Sequence, residues 1–144
     1  MQMRQAVEDL FSRYEQAFNA ALTDAPDLDT ISGLYTDTFI AASPHGVMSG
    51  KNDEELRKAM TDGFVRYRDM GTKKMQLTHL RVTPIDELHC LAHVDWRAIY
   101  DVRGEQKIID FTNVYLVRVE QGRAKVFGWI VGDEDAELQK HGIA

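Results

Sequence analysis

The spacing of apolar residues changes once along the chain, close to residue 71. Before that point apolar side chains recur every three or four positions, which indicates amphipathic helices. This spacing predicts a long helix over residues 3–23, a short helix that carries Leu28, Ile31 and Leu34, and a third helix that runs to about Met70. The first half of the chain is therefore predicted to be mainly helical.

Local signals bound the third helix and the segment before it. Asn52 and Glu55 form a capping box, which predicts that the third helix begins at Asn52, and Gly71 is the expected stop. Between the second and third helices, residues 38–43 are predicted to form a strand. The turn Pro44-His45-Gly46 leads to a short partner strand at 47–49.

From residue 73 onward apolar and polar residues alternate, which is typical of strands with one buried face. Tight turns at 86–87, 103–105 and 121–122 separate four long strands. The predicted strands cover residues 73–86, 88–102, 106–120 and 123–132. Helices followed by an antiparallel meander predict an α+β fold.

The alternation also assigns a face to each strand residue. The face that we expect under the helices is rich in aromatic rings: Trp96, Tyr100, Phe111, Tyr115, Phe127 and Trp129, with Asn113 as a strongly polar exception. The opposite face carries apolar residues as well: Leu91, Ile99, Val114, Leu116, Val126 and Ile130. An apolar patch of this kind usually marks an interface, so we predict a homodimer through the outer face of the sheet.

Several short segments carry a family resemblance that spans nearly the whole chain. They are Arg13-Tyr14 with Ala17-Phe18-Asn19-Ala20, Asp27 to Ile31 with Leu34-Tyr35, Ser43-Pro44-His45-Gly46 with Gly50, and Gly132-Asp133-Glu134. In this order they resemble the NTF2-like superfamily, and within it the SnoaL-like and ketosteroid-isomerase-like branch. The resemblance implies one domain over residues 1–144, a cone of N-terminal helices packed on a curved antiparallel sheet with a mixed edge.

The resemblance also implies site residues. Tyr14 matches a pocket tyrosine on the first helix, and Asn113 falls where isomerases carry an oxyanion-binding aspartic acid. Ser43 stands where they carry an aspartate as the base. Serine does not relay a proton unaided, and asparagine donates a hydrogen bond but does not titrate. The resemblance therefore implies the cavity and its tyrosine, and not ketosteroid isomerisation.

Aromatic walls with few polar groups are typical of small-molecule pockets. We predict that Tyr14 and Asn113 polarise a ligand carbonyl, that His79 moves the proton with His45 as the second choice, and that Ser43 and His45 lie over the mouth. The direction of His79 stays open, because the apolar residues of its strand change face between Leu77 and Leu80. The predicted ligand-contacting rings are Phe18, Trp96, Tyr100, Tyr115, Phe127 and Trp129. The alternative is that these rings are plain core, that Asn113 is satisfied by a neighbour, and that the histidines are solvated.

Composition excludes several other classes. The 144 residues carry a net charge of −6 with scattered basic residues, which argues against a nucleic-acid binder. A single cysteine excludes an intrachain disulfide. His89 and His93 lie about 13 Å apart on a strand, too far to bind one metal ion, so no metal is predicted. No nucleotide fingerprint predicts a cofactor, and the absence of a long apolar run predicts a cytoplasmic protein without membrane contact.

Two functional hypotheses follow. In the first, the cavity binds a small hydrophobic or cyclic organic molecule, and any catalysis is cofactor-free isomerisation, cyclisation or dehydration of a cyclic carbonyl compound. In the second, the chain is a non-catalytic dimeric interaction or assembly module of the same fold, and its cone is filled by its own side chains. An open cavity of several hundred Å³ with converging polar groups would favour the first.

Overall fold

A computed structural model describes residues 2–143 as helices packed on one side of a single sheet. The helices are α1 (Gln2–Ala21), α2 (Leu28–Ser32), α3 (Glu54–Asp69) and α4 (Glu134–Lys140). The strands are β1 (Tyr35–Ser43), β2 (Gly46–Lys51), β3 (Thr72–Pro84), β4 (His89–Val102), β5 (Glu105–Glu120) and β6 (Arg123–Ile130). Across this range no helix has both the length and the apolar composition that a membrane span requires.

The sheet is mixed and open. Its strand order is β2-β1-β6-β5-β4-β3, and every neighbouring pair is antiparallel except β1 and β6, which are parallel. The long meander β3 to β6 follows from tight turns in which Arg103, Gly104, Gln121 and Gly122 adopt positive φ. The architecture confirms the predicted α+β fold with a mixed edge.

The helix α1 covers both the core and one edge of the sheet. Its apolar stripe, with Val7, Leu10 and Phe11 fully buried, packs on the sheet. Its polar side chains reach the backbone of the edge strand β3. The Asn19 amide pairs with both the N–H and the carbonyl of Met75, at 2.8 and 2.7 Å. These bonds satisfy backbone groups that an edge strand otherwise leaves open.

The start of α3 differs from the prediction. Asp53, not Asn52, is the N-cap, and its carboxylate accepts from the backbone N–H groups of the next turn. The Asn52 amide instead donates to the carbonyl oxygen of Ser32 at 2.7 Å and to that of Tyr35 at 3.3 Å. The predicted capping box is wrong because tertiary contacts at the end of α2 use the Asn52 side chain. Gly71 follows the helix end as predicted, with φ of 85°.

The faces predicted for β4 are confirmed. Trp96 is 2% exposed, whereas its neighbour Arg97 is exposed and pairs with Asp110 on the outer face at 2.8 Å. The inward residues are Cys90, Ala92, Val94, Trp96, Ala98 and Tyr100, all buried. The alternation of β4 therefore correctly identifies the residues that face the helices.

A bulge reverses part of the predicted face assignment in β6. Leu116 pairs with Gly128 while Val117 pairs with Val126, so Phe127 is an extra residue in its strand. Val126 is fully buried, and the Phe127 ring lies 5.7 Å from the ring of His89 on the other face. The predictions for Val126 and Phe127 are therefore wrong, because strict alternation assumes an unbroken register.

Candidate functional site

A cavity of about 640 Å³ lies between the inner face of the sheet and the helices α1, α3 and α4. This size falls within the range of small-molecule pockets. Its walls are mostly aromatic, with rings from α1, α3 and four strands: Tyr14, Phe18, Tyr35, Tyr67, Trp96, Tyr100, Phe111, Tyr115 and Trp129. The cavity is open to solvent, and its lining includes the segment where β6 leads into α4.

The hydroxyl of Tyr115 is the centre of a hydrogen-bond network in the cavity wall. It accepts a hydrogen bond from the Trp96 indole at 3.1 Å and one from the Asn113 amide at 3.3 Å. Two accepted bonds occupy its lone pairs, so the hydroxyl proton is left to be donated. The Tyr14 ring lies beside it, with ring centroids 5.9 Å apart. The network therefore orients polar groups in an otherwise apolar wall.

The tyrosines of this wall are neutral. Burial raises the pKa of Tyr14 well above its usual value, and the neighbouring Tyr35 raises it further. Burial also raises the pKa of Tyr35 and of Tyr115. All three hydroxyls stay protonated at neutral pH, so they act as hydrogen-bond donors and acceptors and not as bases.

Seven of the predicted site residues line this cavity. Tyr14 and Asn113 both adjoin the Tyr115 side chain and face the same space. The other predicted residues on the wall are Phe18, Trp96, Tyr100, Tyr115 and Trp129. Trp96 and Tyr115 are also core residues that satisfy each other's polar atoms, so packing and site geometry share the same side chains.

The other predicted site residues lie elsewhere. The Ser43 hydroxyl accepts from the backbone N–H of His45, and His45 is exposed, with Nε2 3.3 Å from the Asp133 carboxylate. Neither lines the cavity, and Phe127 lies on the outer face. The structure therefore does not bring these three residues to the aromatic wall.

His79 is also outside the cavity. It is exposed and lines a separate groove of about 390 Å³ between α1 and β3, beside Glu8 and Leu80. The β3 register shifts between Leu77 and His79, which sets the direction of the His79 side chain. The expectation that His79 shares a site with Tyr14 and Asn113 is wrong, because the bulge in β3 turns it away from the wall.

The sequence analysis missed Glu134. This residue lines the cavity from the first turn of α4, and its carboxylate is near enough to Tyr67 and Tyr100 to raise the pKa of both hydroxyls. Glu134 is an exposed residue, and partial desolvation of its carboxyl raises its pKa, while hydrogen bonding from Tyr67 and the charge of Arg66 offset part of that rise. A signal was present, since Glu134 and the buried Leu138 are four residues apart and share one helix face.

The charge of the lining is one-sided. Among the described residues that line the cavity, four are acidic and none is lysine, arginine or histidine. The acidic residues are Asp110, whose carboxylate pairs with Arg97 on the outer face, and Asp133, Glu134 and Glu137 at the start of α4. Such a lining favours neutral or cationic ligands over anions.

An open mixed sheet with helices over one face and an aromatic cavity between them defines an NTF2-like cone. Residues 4–134 match the model of a family described as NTF2-like protein (DUF6841). The chain belongs to this NTF2-like family. No functionally curated protein matches the chain in sequence.

Solved structures show the same fold at low sequence identity. An NTF2-like protein with a cystatin-like fold from Novosphingobium aromaticivorans has a TM-score of 0.69 and 15% identity, over 97% of this chain and 87% of its own. A Mycobacterium tuberculosis protein described as of unknown function has a TM-score of 0.66 and 13% identity, over 90% and 70%. A Novosphingobium aromaticivorans protein provisionally named a scytalone dehydratase has a TM-score of 0.65 and 12% identity, over 90% and 82%. These likenesses establish the fold alone.

Proposed function

We propose that this protein binds a small hydrophobic molecule with a cyclic skeleton and a carbonyl group in the aromatic cavity. The observation that carries the proposal is the Tyr115 network. Trp96 and Asn113 orient the Tyr115 hydroxyl beside Tyr14, on the wall of an open cavity of about 640 Å³. A cone closed by its own side chains would have favoured an assembly module instead.

The chemistry of the wall matches such a ligand. The rings supply apolar and stacking contacts, and the Tyr14 hydroxyl and Asn113 amide supply neutral donors for a carbonyl oxygen. Donors fixed in an apolar wall also stabilise an oxyanion that develops on that oxygen. We therefore propose cofactor-free isomerisation, cyclisation or dehydration as the reaction class, and the structural neighbour provisionally named a scytalone dehydratase supports it.

Binding of 2-tetralone, a cyclic ketone, and of tetralin, which has the same skeleton without the carbonyl, tests the proposal by titration calorimetry. We expect 2-tetralone to bind about tenfold more tightly than tetralin, because a tenfold difference in affinity corresponds to the free energy of roughly one hydrogen bond. Asn113→Leu and Tyr14→Phe should reduce this difference, whereas Ser43→Ala, outside the cavity, should preserve it. If neither compound binds the wild-type protein, the proposed function is wrong.

A specific observation also favours a partner on the other side of the sheet. Val47, Ala42, Ile130 and Val114 are successive cross-strand neighbours from β2 to β5, and they form an apolar row on the outer face. Val47 is 73% and Ile130 51% exposed. We propose that this row is buried in a homodimer, because exposed apolar surface of this continuity is uncommon on a monomer.

A further inference from the structure

At the α4 end of the aromatic cavity, a buried hydroxyl group has no hydrogen-bond partner. Tyr100 is 4% exposed and lines the cavity from β4, and its side chain packs in one buried cluster with Leu138 of α4. Within residues 2–143 no side chain or backbone group forms a hydrogen bond with the Tyr100 hydroxyl. A buried hydroxyl is costly to leave unbonded, so this one is available to a group that enters the cavity.

The charge next to this hydroxyl comes from Glu134. Burial and then the charge of Glu134 raise the pKa of Tyr100 to about 12. Burial and the same carboxylate also raise the pKa of Tyr67, which lines the cavity from α3. Two tyrosine side chains and one carboxylate therefore lie close together where α4 begins.

The other two acidic residues of the lining at this end have histidine partners. Asp133 lies 3.3 Å from His45, and Glu137 lies 3.8 Å from His141. In the part of the chain that the structure describes, no ion pair includes Glu134. Its carboxylate is therefore the negative charge of the lining that a ligand can match.

The basic residue nearest in effect to Glu134 is already matched. Arg66 lowers the pKa of Glu134, but its guanidinium group binds the carboxylate of Asp135 at 2.7 Å. Partial desolvation of the Glu134 carboxyl is the main influence on its pKa and raises it. A positive charge brought by a ligand would stabilise this carboxylate.

The exposure of Glu134 also favours a charged ligand group at this position. Glu134 is an exposed residue, so a cation bound to it keeps part of its hydration. A cation placed deeper in the aromatic wall would lose that hydration at a high cost in free energy. The cavity thus offers apolar walls inside and one carboxylate on its solvent side.

We propose that the ligand of this cavity carries a protonated amine on its apolar skeleton, and that the ammonium group binds the Glu134 carboxylate and the Tyr100 hydroxyl. The ammonium group donates to both oxygens, and the rings of tyrosine attract cations as well. The apolar skeleton extends inward along the aromatic wall. This inference rests on the proposed function because it uses the same cavity, but it does not depend on the carbonyl contacts of Tyr14 and Asn113.

Binding of 2-aminotetralin and of 2-tetralol, measured by titration calorimetry, tests the inference. The two compounds share one skeleton, and at neutral pH the amine is protonated whereas the hydroxyl is uncharged. We expect the wild-type protein to bind 2-aminotetralin at least about tenfold more tightly, because charge-assisted hydrogen bonds are the stronger ones. Glu134→Gln should remove most of this difference and still bind 2-tetralone, which shows that the cavity is intact.

Glu87→Gln is the matched control, because it makes the same charge change in the exposed turn between β3 and β4. This variant should preserve the preference for the amine. If it reduces the preference as much as Glu134→Gln does, the net charge of the protein selects the amine and the proposed site is wrong.

Tyr100→Phe tests the hydroxyl separately, because it keeps the ring. We expect it to weaken binding of 2-aminotetralin by about fivefold, the value of roughly one hydrogen bond, and to leave binding of 2-tetralone unchanged. Wild-type affinity of this variant for 2-aminotetralin would show that the Tyr100 hydroxyl does not bind the amine.

The failure of this inference is distinguishable from the failure of the proposed function. If the wild-type protein binds 2-tetralone but binds 2-aminotetralin no more tightly than 2-tetralol, the amine is wrong and the binding proposal stands. If it binds none of the three compounds, both are wrong.

Discussion

The indole of Trp96 donates a hydrogen bond to the hydroxyl of Tyr115 at 3.1 Å, across the neighbouring strands β4 and β5. The two side chains are 2% and 3% exposed, and both also line the cavity. The same pair therefore contributes to the hydrophobic core and fixes the direction of the Tyr115 hydroxyl. Stability and site geometry are coupled at this contact.

Replacement of Trp96 by alanine should destabilise the protein by about 3–5 kcal/mol, because a large buried ring is lost and a cavity is left. Urea denaturation measures the change in the free energy of unfolding. Arg97→Ala is the control on the adjacent residue. It removes an exposed pair with Asp110 and should cost less than about 1 kcal/mol. Equal effects of the two substitutions would contradict the assignment of β4 faces.

Two glycine substitutions should have opposite effects on stability. At Gly71, where φ is 85°, an added Cβ would lie 2.1 Å from the carbonyl oxygen of Asp101, so Gly71→Ala should cost at least about 2 kcal/mol. At Gly63, in the middle of α3, an added Cβ meets no atom within 4 Å. Gly63→Ala should therefore stabilise the protein by roughly 0.5–1 kcal/mol. Thermal melts compare both variants, and a stable Gly71→Ala protein would be inconsistent with the turn described.

The pH dependence of stability should report on Glu134. A carboxyl whose pKa is raised by folding favours the folded state below its unfolded value of 4.5, and that contribution is lost as the pH rises through the folded value. Glu134→Gln should therefore gain stability relative to wild type between about pH 4 and pH 7. Urea denaturation at both pH values measures this difference. A difference that does not change with pH would show that the carboxyl is not desolvated.

The carboxylates of the lining should select ligands by charge. At neutral pH, 2-naphthoate should bind at least about tenfold more weakly than 2-acetylnaphthalene, which has a similar skeleton without the negative charge. Added salt should reduce this difference in affinity, because it screens the repulsion between the naphthoate and the carboxylates of the lining. Calorimetry at low and high salt provides the test. Tighter binding of the naphthoate would point to a cationic group that the lining does not explain.

The outer apolar row should control self-association. Ile130 is 51% exposed in the single chain, so Ile130→Glu should leave the fold intact and place a charge in the proposed dimer interface. We expect this variant to be monomeric by multi-angle light scattering while wild type is dimeric. Ile85→Glu, at a position 62% exposed outside the row, is the matched control and should remain dimeric. A wild-type monomer at high concentration would refute the dimer.

Much of the fold was predictable because its signals are local. The alternation in β4 places Trp96 and Tyr100 inside without reference to any other strand, and the helical spacing places Leu10 and Phe11 on the buried face of α1. Tyr14 and Asn113 were predictable as cavity-lining residues because the order of elements resembles a family whose cavity lies at those positions. Each of these inferences depends on a few neighbouring residues.

The predictions that were wrong concern side chains whose direction depends on tertiary contacts and not on the local sequence pattern. The bulges beside Phe127 and His79 turn these side chains away from the wall. The alternation in β6 shows no sign of its bulge, whereas in β3 the apolar residues change face between Leu77 and Leu80, which left the direction of His79 open. Glu134 lies in an acidic segment that is typical of a solvated helix start. The path of α4 along the cavity depends on the packing of Leu138 in the core, which the local sequence does not specify. The end of α2, likewise, determines the role of Asn52.

The parallel pairing of β1 with β6 has a consequence for biosynthesis. Thr36 and Val126 are joined across this pair although they are 90 residues apart in sequence. During translation β1 and β2 emerge early, but the edge of β1 that pairs with β6 stays unpaired until β6 has left the ribosome. Trp129, which stacks on Phe39 in the finished wall, arrives with that last strand. The aromatic cavity therefore forms late, and we expect nascent chains to need protection of the unpaired β1 edge until β6 has been synthesised.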